Sequence, residues 1–228
     1  MDPIQTAVEL SIWVGNPPVW WAACLPERVE HDGMATRTTA APSATDSLLI
    51  VGAENAGVLT QIADASSLSL DDAAARLRDA RRVFVLGAGR SGLALRMTAM
   101  RLMHLGLDVH VVGETTTPAI CNGDVLLVAS GSGTTAAIVR AAGTAAAAGA
   151  DIIAMTTAPE SPLAELSQVT VVIPAAQKQD HDGQHSAQYA GSLFEQAVLS
   201  AGDAIFHTLW KASGATAEEL WLRHANLE

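Results

Sequence analysis

The chain has 228 residues, a formal net charge of −11 and 49% hydrophobic residues, with alanine supplying much of that share. This length allows one domain of ordinary size, or one domain with an appendage, and it can bury a core without staples. The acidic balance argues against nucleic acid as a partner, and no apolar run approaches the ~20 residues that cross a bilayer. Cys24 and Cys121 form no metal or redox motif, so a reducing cytoplasm is expected.

Residues 1–33 do not match the rest. They hold Trp13, Trp20, Trp21 and the Pro17-Pro18 pair, without the basic flank or cleavage site of a secretory signal. Met34 opens a Thr/Ala/Ser/Pro segment that reads as an ordinary flexible N-terminus. Residues 1–44 are therefore expected to lie outside the functional fold, as an extension or as the product of a start codon set too far upstream. A hydrophobic oligomer arm is the competing reading. A peptide from residues 1–30 in the native protein would overturn the upstream-start reading.

Apolar periodicity predicts helices over 46–64 and 71–80, the second with Asp71 and Asp72 in its first turn. Strands are expected at 82–87, 109–113, 124–129, 152–156 and 169–173. Helices are expected at 93–105, 136–148, 163–167, 190–211 and 216–224. Such alternation implies an α/β fold, a five-stranded parallel sheet flanked by helices on both faces.

Two loops after strands carry chemistry. Ser130-Gly131-Ser132-Gly133-Thr134-Thr135 joins a buried strand to an alanine-rich helix. Its glycines let the backbone close on an anion, its hydroxyls donate, and the helix N-terminus offers free N–H groups. The loop has no lysine, so it is not a Walker P-loop. A plain turn with a threonine cap is the bland alternative. Gly87-Ala88-Gly89-Arg90-Ser91-Gly92 has the dinucleotide spacing, with Glu114 placed 22 residues beyond Gly92 where a ribose-binding acid would sit. Arg90 and Ser91 suit a small anion better than a pyrophosphate. Two such loops at strand ends suit a compact phosphorylated ligand between them.

Glu114, Thr115, Thr116 and Thr117 either read sugar hydroxyls or form a polar turn before Pro118. Glu195 falls early in a long helix among Leu193, Phe194, Ala197 and Val198. A partly desolvated carboxylate there makes a useful base. His224, near the C-terminus, means little alone. Asp180, His181, Asp182 and His185 lack a third firm ligand and read as loop residues. His104, His110 and His207 read as structural or surface residues.

The stretches VFVLGAGRSGLALRMTAMRLMHLGLDVHVVGETTTPAI, GDVLLVASGSGTT, QYAGSLFEQ and the terminal RHANLE together resemble the 6-phospho-3-hexuloisomerases, sugar isomerase (SIS) domain enzymes of the ribulose monophosphate pathway. The resemblance covers about residues 45–228. It implies a SIS domain of Rossmann-like build that interconverts D-arabino-3-hexulose 6-phosphate and fructose 6-phosphate without metal or other cofactor. It also implies a homotetramer with sites near subunit interfaces. Carried over by motif, Ser91 and residues 130–135 bind the sugar phosphate and Glu195 accepts the proton; Gly89 and Arg90 are expected to bind with them, and His224, reaching in from a neighbouring subunit, is expected to assist proton movement between the oxygens. The pathway partner would be 3-hexulose-6-phosphate synthase. A sugar-phosphate sensor and an NAD-dependent dehydrogenase are the alternatives.

Overall fold

The computed structural model describes residues 41–176 and 186–227. The expectations for residues 1–33 and for Asp180, His181, Asp182 and His185 lie outside the described residues. Five strands form one sheet: β1 (Val83–Gly87), β2 (Val109–Val111), β3 (Val125–Ala129), β4 (Asp151–Thr156) and β5 (Val169–Val172). The order is β2-β1-β3-β4-β5 and every pairing is parallel. The helices are α1 (Ala44–Ala65), α2 (Ser67–Asp79), α3 (Gly89–His104), α4 (Ala136–Ala147), α5 (Pro162–Leu166), α6 (Ser192–Ser213) and α7 (Ala217–Trp221).

Alternate residues of each strand feed opposite faces, and both faces are buried. Val83, Val85, Val125, Leu127, Ile153 and Met155 pack with side chains of α1, α2, α3 and α6. Phe84, Leu126, Val128, Ile152 and Ala154 pack instead against α4 and α5. This bears out the expected sheet with helices on both faces. Among the described residues, no helix is long and apolar enough to cross a membrane.

Several element ends differ from expectation, each for a local reason. α2 starts at Ser67, directly after the end of α1, instead of residue 71. α3 starts at Gly89 instead of residue 93, because the glycine loop itself forms the first helical turn. α6 starts at Ser192, since Ala190 (φ 48°) and Gly191 (φ 77°) are left-handed and cannot be helical. α7 ends at Trp221, so His224 lies in the turn that follows.

At the opposite end of the sheet from the glycine loops, the side chain of Asp124 is fully buried at the start of β3. It accepts hydrogen bonds from Arg82 (2.7 and 3.1 Å), Arg81 and the Cys121 N–H (2.8 Å). Burial pushes this carboxyl up. The Arg82 and Cys121 hydrogen bonds and the charges of Arg82 and Arg81 outweigh it and hold it down at about 2. A carboxyl depressed in the fold stabilises above its unfolded value and loses that contribution as pH falls through the folded one. Stability should therefore drop between about pH 4 and pH 2 by about 2 kcal/mol from this group. Asp124→Asn should lower Tm at pH 7 by about 4–8 °C and flatten the acid limb. Calorimetry across pH 2–7 checks both; an unchanged acid limb would contradict the assignment.

Candidate functional site

Strand order sets the place of the site. The chain leaves β1 towards β2 on one side and returns to β3 on the other, so β1 and β3 flank the switch point where such sheets open a crevice. The loops after β1 and β3 stand at its two sides.

The loop after β1 is held tight by two glycines. A Cβ on Gly87 would lie 2.8 Å from the Gly92 N, and one on Gly92 would run into the Gly87 carbonyl. Strand end and helix start can approach this closely only without side chains. Ala88 caps α3 without a side-chain hydrogen bond, and Ser91 is buried in its first turn.

The loop after β3 is braced from β4 and the turn beyond it. The Gly131 carbonyl accepts from Thr156 Oγ1 (3.0 Å), Thr157 Oγ1 (2.8 Å) and the Thr157 N–H (3.0 Å). Gly133 has φ +61°, its carbonyl accepts from the Leu163 N–H, and a Cβ there would collide with Ser161 Oγ. Ser130 is buried and shares a hydrogen bond with Thr135 (3.3 Å). Ser132, Thr134 and Thr135 are exposed, with Thr134 donating to Ser132 (3.0 Å). Thr135 is the N-cap of α4, as the bland reading had it, but its side chain makes no capping bond. The first N–H groups of α4 therefore stay available to an anion.

The first turn of α6 ties the two loops together. Phe194 is buried beneath Gly131, 3.6 Å from where a Cβ would stand. The next residue, Glu195, is 6% exposed, and its carboxylate accepts a hydrogen bond from Arg90 Nε of the other loop. Arg90 itself is mostly exposed. One helical turn thus places a buried acid and a solvent-facing guanidinium between two loops rich in N–H and O–H donors.

Glu114, Thr115 and Thr116 occupy an exposed turn after β2, beside the β1 loop. Thr117 closes that turn onto the Val111 carbonyl, and Glu114 pairs with Arg96 of α3 at 2.6 Å. The strand order is that of a single doubly wound sheet, not the 3-2-1-4-5-6 order of the two-halved dinucleotide fold, which removes the architectural support for NAD.

His224 is not near Glu195 within one chain. It stacks between His104 and Trp221, at ring distances of 5.0 and 4.6 Å. His104 ends α3 and Arg90 begins it, so about 21 Å of helix separates the two places. There His224 lines a cavity of about 450 Å³ with Arg101, Phe206 and Trp210. Burial pushes the His104 imidazole below its usual value, and charges on His224 and Arg101 push the same way.

Comparison with known proteins agrees with this geometry. The SIS domain model matches residues 76–200. The chain belongs to the SIS domain family. It is 65% identical over 147 residues, 64% of this chain and 74% of the relative, to a 3-hexulose-6-phosphate isomerase of Mycobacterium gastri. It is 36% identical over 164 residues, 72% of this chain and 89% of the relative, to a 3-hexulose-6-phosphate isomerase of Bacillus subtilis (strain 168). A solved structure from Methanococcus jannaschii, from which a 3-hexulose-6-phosphate isomerase function was inferred, superposes with a TM-score of 0.69 at 30% identity. That match covers 80% of this chain and 99% of the other. The SIS sheet and both loops therefore stand where the sequence put them. Missed were Thr156, Thr157 and Ser161, whose signal was a pair of threonines at a strand end.

Gly133→Ala should destabilise the chain by about 2 kcal/mol or more, since it combines positive φ with a collision. Gly143→Ala, with open space around its Cβ, should be neutral or stabilising. Thermal melts of the two variants side by side check this, and equal melts would contradict the loop geometry.

Proposed function

We propose that this SIS domain chain interconverts D-arabino-3-hexulose 6-phosphate and fructose 6-phosphate in the ribulose monophosphate pathway. The observation that carries the reading is the buried Glu195 meeting Arg90 between two anion loops, in a chain this close to curated 3-hexulose-6-phosphate isomerases. The phosphate would rest on Ser132, Thr134, Thr135 and the α4 N–H groups, with Ser91 and Gly89 on the facing loop. Glu114, Thr115 and Thr116 would read the sugar's hydroxyls from the crevice edge.

Moving the carbonyl from C3 to C2 requires loss of the C2 proton to give an enediolate, passage of the O2 hydroxyl proton to O3, and reprotonation at C3. Glu195 takes the proton from C2 and returns it to C3. The Arg90 guanidinium, beside Glu195 yet open to solvent, donates to the developing oxyanion. No cofactor enters the scheme. In this proposal the enzyme is cytoplasmic, residues 45–228 make the catalytic domain, and 3-hexulose-6-phosphate synthase supplies the substrate.

A role for His224 then needs a second copy. Leu93, Met97 and Met100 form an exposed apolar stripe along α3. Met97 lies midway between Arg90 and His104. Two α3 helices packed antiparallel on a two-fold axis at Met97 would set the His104–His224 stack of one copy beside Arg90 and Glu195 of the other. Exposed Leu48 and Leu49 on α1 offer a second, separate patch, and two such contacts would make the homotetramer.

A coupled assay with 3-hexulose-6-phosphate synthase, ribulose 5-phosphate and formaldehyde should yield fructose 6-phosphate. Glu195→Gln should lower kcat by about 10²–10⁴-fold with little change in binding. Full turnover by Glu195→Gln would remove the base assignment, and no product from folded wild type would remove the isomerase. With Cys24 and Cys121 replaced by serine, Met97→Cys should oxidise to a covalent dimer that the same background with Met97 does not form. An oligomer that fails to cross-link there would refute the antiparallel pairing.

A further inference from the structure

α6 begins in a strained way, and something outside the SIS segment holds it. Ala190 and Gly191 both have positive φ immediately before the helix, and Ala190 adopts it with a side chain. Such a conformation persists when its surroundings over-determine it. The strap that precedes it, Ser186 to Gln188, is bound to one carboxylate. Glu54 of α1 accepts from Ser186 Oγ (2.8 Å), the Ala187 N–H (2.6 Å) and Gln188 Nε2 (3.0 Å). The Gln188 side-chain oxygen, Oε1, then accepts from Nε2 of Gln196 (2.8 Å), the residue next to Glu195. Tyr189 continues the chain of contacts, its carbonyl accepting from Ser192 Oγ (2.8 Å).

From these bonds we propose that Glu54 is a positioning residue for Glu195, a clamp on the strap that fixes where the first turn of α6 stands. The proposal rests on the isomerase reading only for its kinetic consequence. Glu54 lies on α1, outside residues 76–200 matched by the SIS model, so the clamp is an addition to that segment. Its carboxyl suits the task. Burial raises it, but the Ala187, Gln188 and Ser186 donors together bring it below the usual range, so it is an anion at neutral pH. All three donors favour an anion, and charge-assisted bonds are the stronger kind. An amide in its place would set its own NH₂ against one of those donors.

The test compares the full-length wild type with Glu54→Gln, Glu54→Asp and Gln188→Ala. Hydrogen exchange followed by mass spectrometry reads the strap, and isomerase kinetics read the acid. Glu54→Gln should speed exchange of the 187–192 amides by about tenfold or more. It should lower kcat by about tenfold to a hundredfold while KM moves less than about threefold, because the acid is misplaced rather than the phosphate loops. Glu54→Asp keeps the charge and should fall between. Gln188→Ala leaves α1 intact and should repeat the kcat effect even if Glu54→Gln folds poorly. Unchanged exchange in Glu54→Gln would overturn the clamp, and raised exchange with wild-type kcat would overturn the positioning of Glu195. If the wild type shows no isomerase activity, the function fails, and the exchange data alone still decide the clamp.

Discussion

A carboxylate removed from water needs a partner, and the site is arranged around that need. Glu195 is buried at the first turn of α6, and Arg90 reaches it from the loop after β1. Removing Arg90 would take a cationic partner away from a buried carboxylate. The pairing therefore fixes the distance between α6 and the β1 loop, while Phe194, one residue earlier, fixes the distance to the β3 loop through Gly131. The two loops are held at a set separation by one helical turn. That separation is what a sugar phosphate would have to fit.

The long packing of α6 along α3 carries this arrangement through the molecule. Gly202 sits against Thr98, where a Cβ would collide with its hydroxyl, so the helices meet closely in the middle. At one end stand Arg90 and Glu195. At the other stand His104, His224 and the aromatic cavity. Two chemically rich ends on one helix pair have no connection within a single chain. In the proposed assembly a second copy turns its α3 about and supplies one, and the exposed Leu93, Met97 and Met100 stripe would then bear on catalysis as well as on assembly.

The sheet and both loops were legible because their signals are local. A short apolar run before a glycine and hydroxyl cluster can be read without knowing what packs on it, and Val125–Ala129 followed by Ser130–Thr135 shows both. The burial of Glu195 was legible from its neighbours on the helix. Its partner was not, because Arg90 lies 105 residues away and nothing in the loop marks it for an ion pair instead of a phosphate. The braces on Gly131 from Thr156 and Thr157 were missed for the same reason. His224 was misplaced at the end of a helix because Thr216–Glu219 signals the start of α7 clearly, with a capping box, while nothing comparable marks its stop.

The proposed chemistry depends on where the sugar phosphate binds. Hydrogen exchange with and without saturating fructose 6-phosphate tests this most directly. Exchange should slow in three segments together: residues 88–93, residues 130–137 and residues 192–196. Protection that spares both loops and appears elsewhere on the chain would contradict that chemistry.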